Sequence, residues 1–88
     1  MAKILLIEDQ EGYRTTLEEA LREDHEVRAV ESGERALEVF AYEPVDLIVT
    51  DLKLGGITGL EVIRKLKRTD PYVEAIVMTA YGTVETAV

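Results

Sequence analysis

Cysteine and tryptophan are absent from the 88-residue chain, and proline occurs only twice. Without cysteine, the sequence excludes a disulfide framework and a thiolate metal site, and it suits a reducing compartment. Basic residues are also few, since 10 Lys and Arg stand against 18 Asp and Glu and give a formal net charge of −8. A negative charge of this size disfavours nucleic acid and anionic membranes as direct partners.

Long hydrophobic runs are missing as well. The first residues, MAKILLIED, hold one lysine and a short apolar run that ends in acids. This start predicts neither a signal peptide nor a membrane span. Hydrophobic residues nevertheless make up 47% of the chain, which is enough for a packed core. We therefore expect one cytoplasmic domain over residues 1–88, with no membrane partner.

Short apolar runs rich in β-branched residues predict four strands. They lie at 3–7 (KILLI), 27–30 (VRAV), 47–50 (LIVT) and 75–78 (AIVM). Three of them are almost continuously hydrophobic, as strands covered on both faces of a parallel sheet are. The run VRAV alternates instead, which is typical of an edge strand.

Helical patterns separate these strands. Apolar residues recur on one face over 12–22. Ser32 is placed to cap a second helix, and Thr58 and Glu61 have capping-box spacing ahead of a third. The order βαβαβαβ predicts an α/β fold with right-handed crossovers and a parallel sheet.

Polar side chains stand where three of the predicted strands end. Glu8 and Asp9 follow the first strand, Asp51 the third and Thr79 the fourth. In an open parallel sheet, ligands gather at the carboxyl ends of the strands. If the strand order is 2-1-3-4, the first and third strands are neighbours, and the three carboxylates converge.

Three converging carboxylates need a compensating cation or raised pKa values. Two like charges about 5 Å apart repel by about 3 kcal/mol at an effective dielectric of about 20. Oxygen ligands with room for water suit Mg²⁺. Taken singly, each residue has a simpler role. Glu8 and Asp9 could cap the next helix, Asp51 could be an ordinary loop acid, and Thr79 could be a helix cap.

Three stretches resemble the receiver domain of bacterial two-component response regulators. They are ILLIEDQ at 4–10, VDLIVTDLKLGGITGLEVI at 45–63 and AIVMTAYGTVETAV at 75–88, in the order and spacing of the family. The run MTAYGTVETAV is most similar to receivers of nitrogen-regulatory, enhancer-binding transcription activators. The resemblance implies a flavodoxin-like, doubly wound parallel sheet and a role in signal transduction and transcription regulation.

The resemblance also implies a role for each polar residue. Asp51 is expected to accept a phosphoryl group from a histidine of a sensor kinase, and Thr79 to supply the switch hydroxyl that turns toward it. Asp9 is expected to bind Mg²⁺ directly and Glu8 largely through water, while the backbone carbonyl of Lys53 completes the protein ligands. Such a domain is not a conventional enzyme, because it catalyses only its own phosphorylation and dephosphorylation.

Two departures from the family pattern affect these expectations. Receivers usually carry a proline where Gly55 stands, so the loop after Asp51 should be looser. The final residues, 83–88, resemble the start of a fourth helix, after which the family continues into a fifth strand and helix. That strand ends in a lysine that contacts the phosphoryl group. We therefore expect a chain truncated before it to be phosphorylated slowly or not at all.

Truncation also predicts self-association. Without a fifth strand, the run at 75–78 becomes a sheet edge with unpaired backbone groups. Without a fifth helix, one sheet face keeps an apolar patch. We therefore expect a homo-oligomer formed through this strand or face. The alternative function is a truncated or engineered receiver fragment that self-assembles and is inactive in phosphotransfer.

Two other classes of protein fit the residues less well. Haloacid-dehalogenase-type phosphatases also use a strand-end aspartate with Mg²⁺, but they place a second acid two residues later, where this chain has Lys53. Flavin or nucleotide binding on a similar fold needs a Gly- or Ser/Thr-rich phosphate loop after the first strand. Here that loop reads EDQEGY, whose acids repel phosphate.

Overall fold

Strands and helices alternate along the chain in the order that the hydrophobic pattern predicts. A computed structural model describes the backbone of residues 2–79 and 82–84 and the side chains of residues 2–78. The elements in chain order are β1 (Lys3–Ile7), α1 (Glu11–Arg22), β2 (Glu26–Val30), α2 (Gly33–Tyr42), β3 (Leu47–Asp51), α3 (Gly59–Thr69), β4 (Glu74–Thr79) and β5 (Gly82–Val84).

The strands form one sheet in the order β2-β1-β3-β4-β5. The first four strands of the chain pair in parallel. The predicted order 2-1-3-4 of a flavodoxin-like sheet is therefore confirmed. VRAV lies in the edge strand β2, as its alternation predicts, because an edge strand with one exposed face needs apolar side chains only at every second position.

The chain after β4 differs from the prediction. Residues 83–88 are predicted to begin a helix, but Gly82–Val84 form a strand antiparallel to β4, with Val84 opposite Val77. Thr83 and Val84 are β-branched and favour extended backbone, and β4 offers them unpaired backbone groups. Residues 85–88 lie outside the described part of the chain. The prediction that the run 75–78 is a sheet edge is therefore wrong for Val77 and Met78, which pair with β5. Within the described part, Glu74–Ile76 of β4 has a strand partner on one side only, and β5 forms the edge beside the rest of β4.

Apolar side chains cover both faces of the sheet. Successive residues of a strand point to opposite faces, so Leu5 and Ile7 lie on one side of β1 while Ile4 and Leu6 lie on the other. All four are at most 1% exposed. The face with Leu5 and Ile7 is covered by buried residues of α2 and α3, namely Ala36, Val39, Phe40, Val62, Ile63 and Leu66. Because apolar side chains are buried on both of its faces, the sheet around β1 and β3 is the central part of the hydrophobic core.

Among the residues that the structure describes, α1 is the helix that packs on the opposite face, and it packs more loosely. No residue of α1 is buried. Leu17 and Leu21 are half-buried and pack against the cluster formed by Ile4, Leu6, Val27 and Val49. Because burial of apolar area supplies most of the free energy that holds a helix on a sheet, α1 is less firmly attached than α2 and α3.

Side-chain caps fix where α2 and α3 begin. Ser32 Oγ accepts a hydrogen bond from the backbone N–H of Arg35 at 3.1 Å, and Thr58 Oγ1 accepts one from Glu61 at 3.2 Å. Each cap contributes about 1 kcal/mol, and both were predicted from the sequence. None of the helices in the described ranges has the length and apolar character that a membrane crossing requires.

Candidate functional site

Three carboxylates lie together at the carboxyl edge of the sheet. Glu8 and Asp9 follow β1 directly, and Asp51 is the last residue of β3. Since Ile7 of β1 pairs with Thr50 of the neighbouring β3, the two strands end side by side. Each acid offers one carboxylate oxygen, and these oxygens all lie within 4.8 Å of one another. The predicted convergence of the three acids is confirmed.

The three acids differ in exposure and charge environment. Glu8 is only 5% exposed, whereas Asp51 is half-buried and Asp9 is exposed. Burial raises the pKa of the Glu8 carboxyl, and so do its hydrogen bond to Asp9 and the charges of Asp51 and Asp9. The Gln10 backbone N–H, which donates to Glu8 Oε2 at 3.0 Å, opposes this rise in pKa. The pattern is that of a carboxylate cluster with excess negative charge.

The donor set has the chemistry that Mg²⁺ prefers. At 4.8 Å, two carboxylates repel by about 3.5 kcal/mol at an effective dielectric of about 20. A divalent cation removes this repulsion. Mg²⁺ takes oxygen ligands in an octahedron and keeps several of its waters, and the exposure of Asp9 leaves room for water beside the acids. The residues present therefore fit a magnesium ion.

A guanidinium group from α1 holds the turn that carries two of the acids. Arg14 Nη1 donates to the backbone carbonyl of Glu8 at 3.0 Å from a partly buried position. The backbone N–H of Arg14 donates to the Gln10 carbonyl at 2.9 Å. Sequence reasoning missed this residue. One feature of the sequence could have indicated it. Arg14 lies one helical turn after Gln10 and is the only basic residue in the first turns of α1, so its side chain can reach back to the end of β1.

The loop after Asp51 is anchored at both ends. Leu52 N–H donates to the Met78 carbonyl at 3.0 Å, and Gly59 N–H donates to the Leu52 carbonyl at 3.2 Å. Lys53 N–H lies 3.4 Å from Asp51 Oδ1 and donates to it. Lys53 is thus next to the acid cluster, as predicted, while the role of its carbonyl as a ligand stays a prediction.

Gly59 allows α3 to begin against the end of β3. A Cβ atom at this position would overlap the backbone carbonyl oxygen of Asp51 and lie 3.1 Å from Thr50 Oγ1. Thr50 is fully buried. Only glycine therefore fits between the first turn of α3 and the backbone that carries Asp51.

Thr79 is brought to the same edge of the sheet. It ends β4, one residue after Met78, which pairs with Asp51. The backbone of Thr79 therefore reaches the end of the sheet where the acids lie. The predicted switch hydroxyl falls on a side chain outside the described ones, and that role stays a prediction.

Comparison with known proteins identifies relatives that match nearly the whole chain. Sporulation initiation phosphotransferase F of Bacillus subtilis is 34% identical over 84 residues, which cover 94% of this chain and 68% of that protein. The transcriptional regulatory protein ZraR of Escherichia coli K12 is 33% identical over 86 residues, which cover 97% of this chain and 20% of that protein. The chain therefore spans about two thirds of the first relative and a fifth of the second.

Solved structures agree with the fold. Response regulator protein TrrA of Thermotoga maritima, in complex with Mg²⁺ and BeF, has a TM-score of 0.86 and 35% identity, and the match covers 92% of this chain and 71% of that one. TrrA in complex with the histidine kinase ThkA matches with a TM-score of 0.84 and 35% identity over 93% of this chain and 72% of that one. The family described as the response regulator receiver domain matches residues 4–88, and this chain belongs to that family.

Proposed function

We propose that Asp51 accepts a phosphoryl group from a phosphohistidine of a sensor kinase in a Mg²⁺-dependent reaction. The observation that carries this proposal is the convergence of Glu8, Asp9 and Asp51 at the end of β1 and β3, with carboxylate oxygens within 4.8 Å. Two complexes of TrrA support it, since one contains Mg²⁺ and BeF and the other contains a histidine kinase.

The chemistry assigned to Asp51 is nucleophilic. A carboxylate oxygen forms a bond to phosphorus while the bond from phosphorus to the histidine nitrogen breaks, and that nitrogen keeps the electron pair. When bound, Mg²⁺ supplies positive charge to the phosphoryl oxygens. The chain itself orients the nucleophile, because Lys53 N–H donates to Asp51 Oδ1. Arg14 holds the neighbouring acids in place through the Glu8 carbonyl.

The other site residues take the roles that the family pattern gives them. Asp9 binds the metal directly, Glu8 acts largely through water, and the Lys53 carbonyl completes the protein ligands. Thr79 supplies the switch hydroxyl. The domain catalyses its own phosphorylation and dephosphorylation in the cytoplasm. It passes the signal to transcription, in keeping with its similarity to ZraR.

Asp9→Asn is expected to weaken Mg²⁺ binding by at least about tenfold, because it removes both a negative charge and a direct ligand. The measurement is a titration of the chain with Mg²⁺, followed by calorimetry and by the NMR shifts of the Gln10 and Lys53 amides. Wild type is expected to bind in the millimolar range.

Asp46→Asn is the matched control for this titration. Asp46 accepts a hydrogen bond from the Lys3 backbone N–H at 2.8 Å, before β3 begins and so at the opposite end of that strand from Asp51. The variant removes the same charge and keeps a side-chain acceptor, so Mg²⁺ affinity should stay near that of wild type. Equal affinity in Asp9→Asn and wild type would contradict the assignment of Asp9.

We also propose that the domain self-associates through β4. Ile76 and Met78 are half-buried on the sheet face where α1 packs, and α1 lies over β1 and β2 rather than over β4. The backbone of Glu74–Ile76 has a partner on one side only, within the described residues. Pairing two copies along this segment would satisfy those backbone groups and cover both side chains.

Ile76→Lys is expected to convert the oligomer to a monomer, because it places a charge on the face that the second copy would cover. Size exclusion with light scattering at micromolar concentration measures the change. Tyr42→Lys is the control, since Tyr42 is 89% exposed at the end of α2, on the other face of the sheet. A monomeric wild type at these concentrations would contradict self-association.

A further inference from the structure

We propose that Glu34 is a positioning residue for the metal site. Its carboxylate holds the loop of residues 52–58, here called the acceptor loop, and so fixes where the Lys53 carbonyl lies. The inference rests on the proposed function, in which that carbonyl binds Mg²⁺. Glu34 lies outside the acid cluster, in the first turn of α2.

Glu34 contacts the acceptor loop directly. Its Oε2 accepts a hydrogen bond from the Ile57 backbone N–H at 3.3 Å, across 23 positions of sequence. The same carboxylate lies against Gly56, where a Cβ atom would come within 2.8 Å of Glu34 Oε2. The adjacent Gly33 is buried so closely against the Ile57 and Val62 side chains that a Cβ would overlap both. The first turn of α2 therefore fixes the loop by polar and by apolar contacts.

The acceptor loop needs such a tether between its two anchored ends. Its ends are anchored to β4 and α3 by the backbone bonds of Leu52 and Gly59. Between them stand Gly55 and Gly56, both exposed. Adjacent glycines allow the backbone many conformations. The Glu34 bond reaches Ile57, directly after these glycines, and restricts the path of the chain on their far side.

Restricting the loop before the metal arrives raises affinity. A flexible ligand must be ordered on binding, and the entropy lost then opposes complex formation. With Glu34 in place, the loop that carries Lys53 is already held at Ile57, while the Lys53 N–H donates to Asp51 Oδ1. Without it, Leu52, Leu54 and Ile57 still pack against the core, but the backbone around Gly55 and Gly56 loses its polar restraint and Mg²⁺ has to order that part of the loop. We expect the loss of this tether to weaken Mg²⁺ binding by about tenfold, the lower end of the loss seen when a residue that supports a metal ligand is removed.

The experiment titrates Mg²⁺ alone into wild type, Glu34→Ala and Glu34→Gln. The alanine variant removes the acceptor and the charge, and it should bind Mg²⁺ more weakly by the factor given above. The glutamine variant removes the charge but keeps an amide oxygen as acceptor, so it should bind close to wild type. Equal losses in both variants would assign the effect to long-range charge and overturn the positioning role.

Gly56→Ala tests the same contact from the loop side. The new Cβ should displace the Glu34 carboxylate, so Mg²⁺ affinity should fall as in Glu34→Ala. Gly55→Ala is the matched control, because a Cβ there meets no atom within 4 Å. The double variant Glu34→Ala/Gly56→Ala should lose no more Mg²⁺ affinity than either single variant, since both substitutions break the same contact. Additive losses would overturn the proposal.

Amide exchange measures the Glu34–Ile57 hydrogen bond independently of Mg²⁺ binding. The Ile57 amide should exchange faster in Glu34→Ala and in Gly56→Ala, while the Gly59 amide, bonded to Leu52, keeps its protection. If Ile57 exchange accelerates and Mg²⁺ affinity does not change, the positioning role is wrong and the metal site stands. If wild type binds no Mg²⁺ at all, the proposed function fails and the inference fails with it.

Discussion

Asp51→Asn is expected to abolish phosphorylation by acetyl phosphate or phosphoramidate, with a loss of at least about a thousandfold. The amide that replaces the carboxylate has no charged oxygen to attack phosphorus. Phosphate-affinity gel shifts and intact mass measure the product. The fold should survive, because the side chains have the same shape and Asp51 is half-buried. Loss of one negative charge beside Glu8 should leave the unfolding temperature of the metal-free chain unchanged or higher.

Two further variants make this result specific. Asp46→Asn, which lies at the amino end of β3, should be phosphorylated like wild type. Asp9→Asn should be phosphorylated slowly at low Mg²⁺ and recover in part as Mg²⁺ is raised, because the proposed role of Asp9 is to bind the metal. A phosphorylated product that persists in Asp51→Asn would show that another residue is the acceptor. A wild type that no donor phosphorylates would favour the inactive, self-assembling alternative.

Gly59→Ala is expected to destabilise the fold by about 2–3 kcal/mol and to weaken Mg²⁺ binding as well. The added Cβ overlaps the Asp51 carbonyl oxygen, which is backbone and cannot rotate away. Either α3 or the end of β3 must therefore move, and Asp51 moves with β3. Urea unfolding measures the free energy of unfolding, and the Mg²⁺ titration reports the change at the site.

Gly12→Ala is the matched control, with the opposite expected sign. Gly12 lies in α1, and a Cβ there meets nothing within 4 Å. Alanine in a helix is favoured over glycine by about 1 kcal/mol, so this variant should be slightly more stable than wild type. If Gly59→Ala unfolds at the same urea concentration as wild type, the close approach of α3 to β3 is wrong.

Much of the architecture could be predicted because the determining signals are local. Continuous apolar runs such as Ile4–Ile7 are buried on both faces, and this pattern indicates a parallel sheet with helices on each side. Once the strand order is 2-1-3-4, the residues that end β1 and β3 must lie side by side. The convergence of Glu8, Asp9 and Asp51 then follows from topology alone.

The remaining features depend on contacts between segments far apart in sequence. An acidic residue in the first turn of a helix is favoured by the helix dipole. This local effect already explains a glutamate at position 34, so the sequence gives no sign of its bond to Ile57. The β-branched Thr83 and Val84 favour extended backbone, but their pairing with β4 depends on a separate segment that offers unpaired backbone groups. In the sequence, Arg14 is one of several charged residues on α1. Only the three-dimensional structure shows that it contacts the Glu8 carbonyl.

Because α1 is loosely attached, its local opening is coupled to the binding of any cation that the acid cluster takes up. Local opening requires the least free energy where few apolar side chains are buried, and α1 buries none fully. When α1 detaches, Arg14 leaves the Glu8 carbonyl, and the turn with two of the three acids loses its clamp. Any cation that needs this turn closed must therefore slow amide exchange throughout α1, in proportion to how tightly it binds.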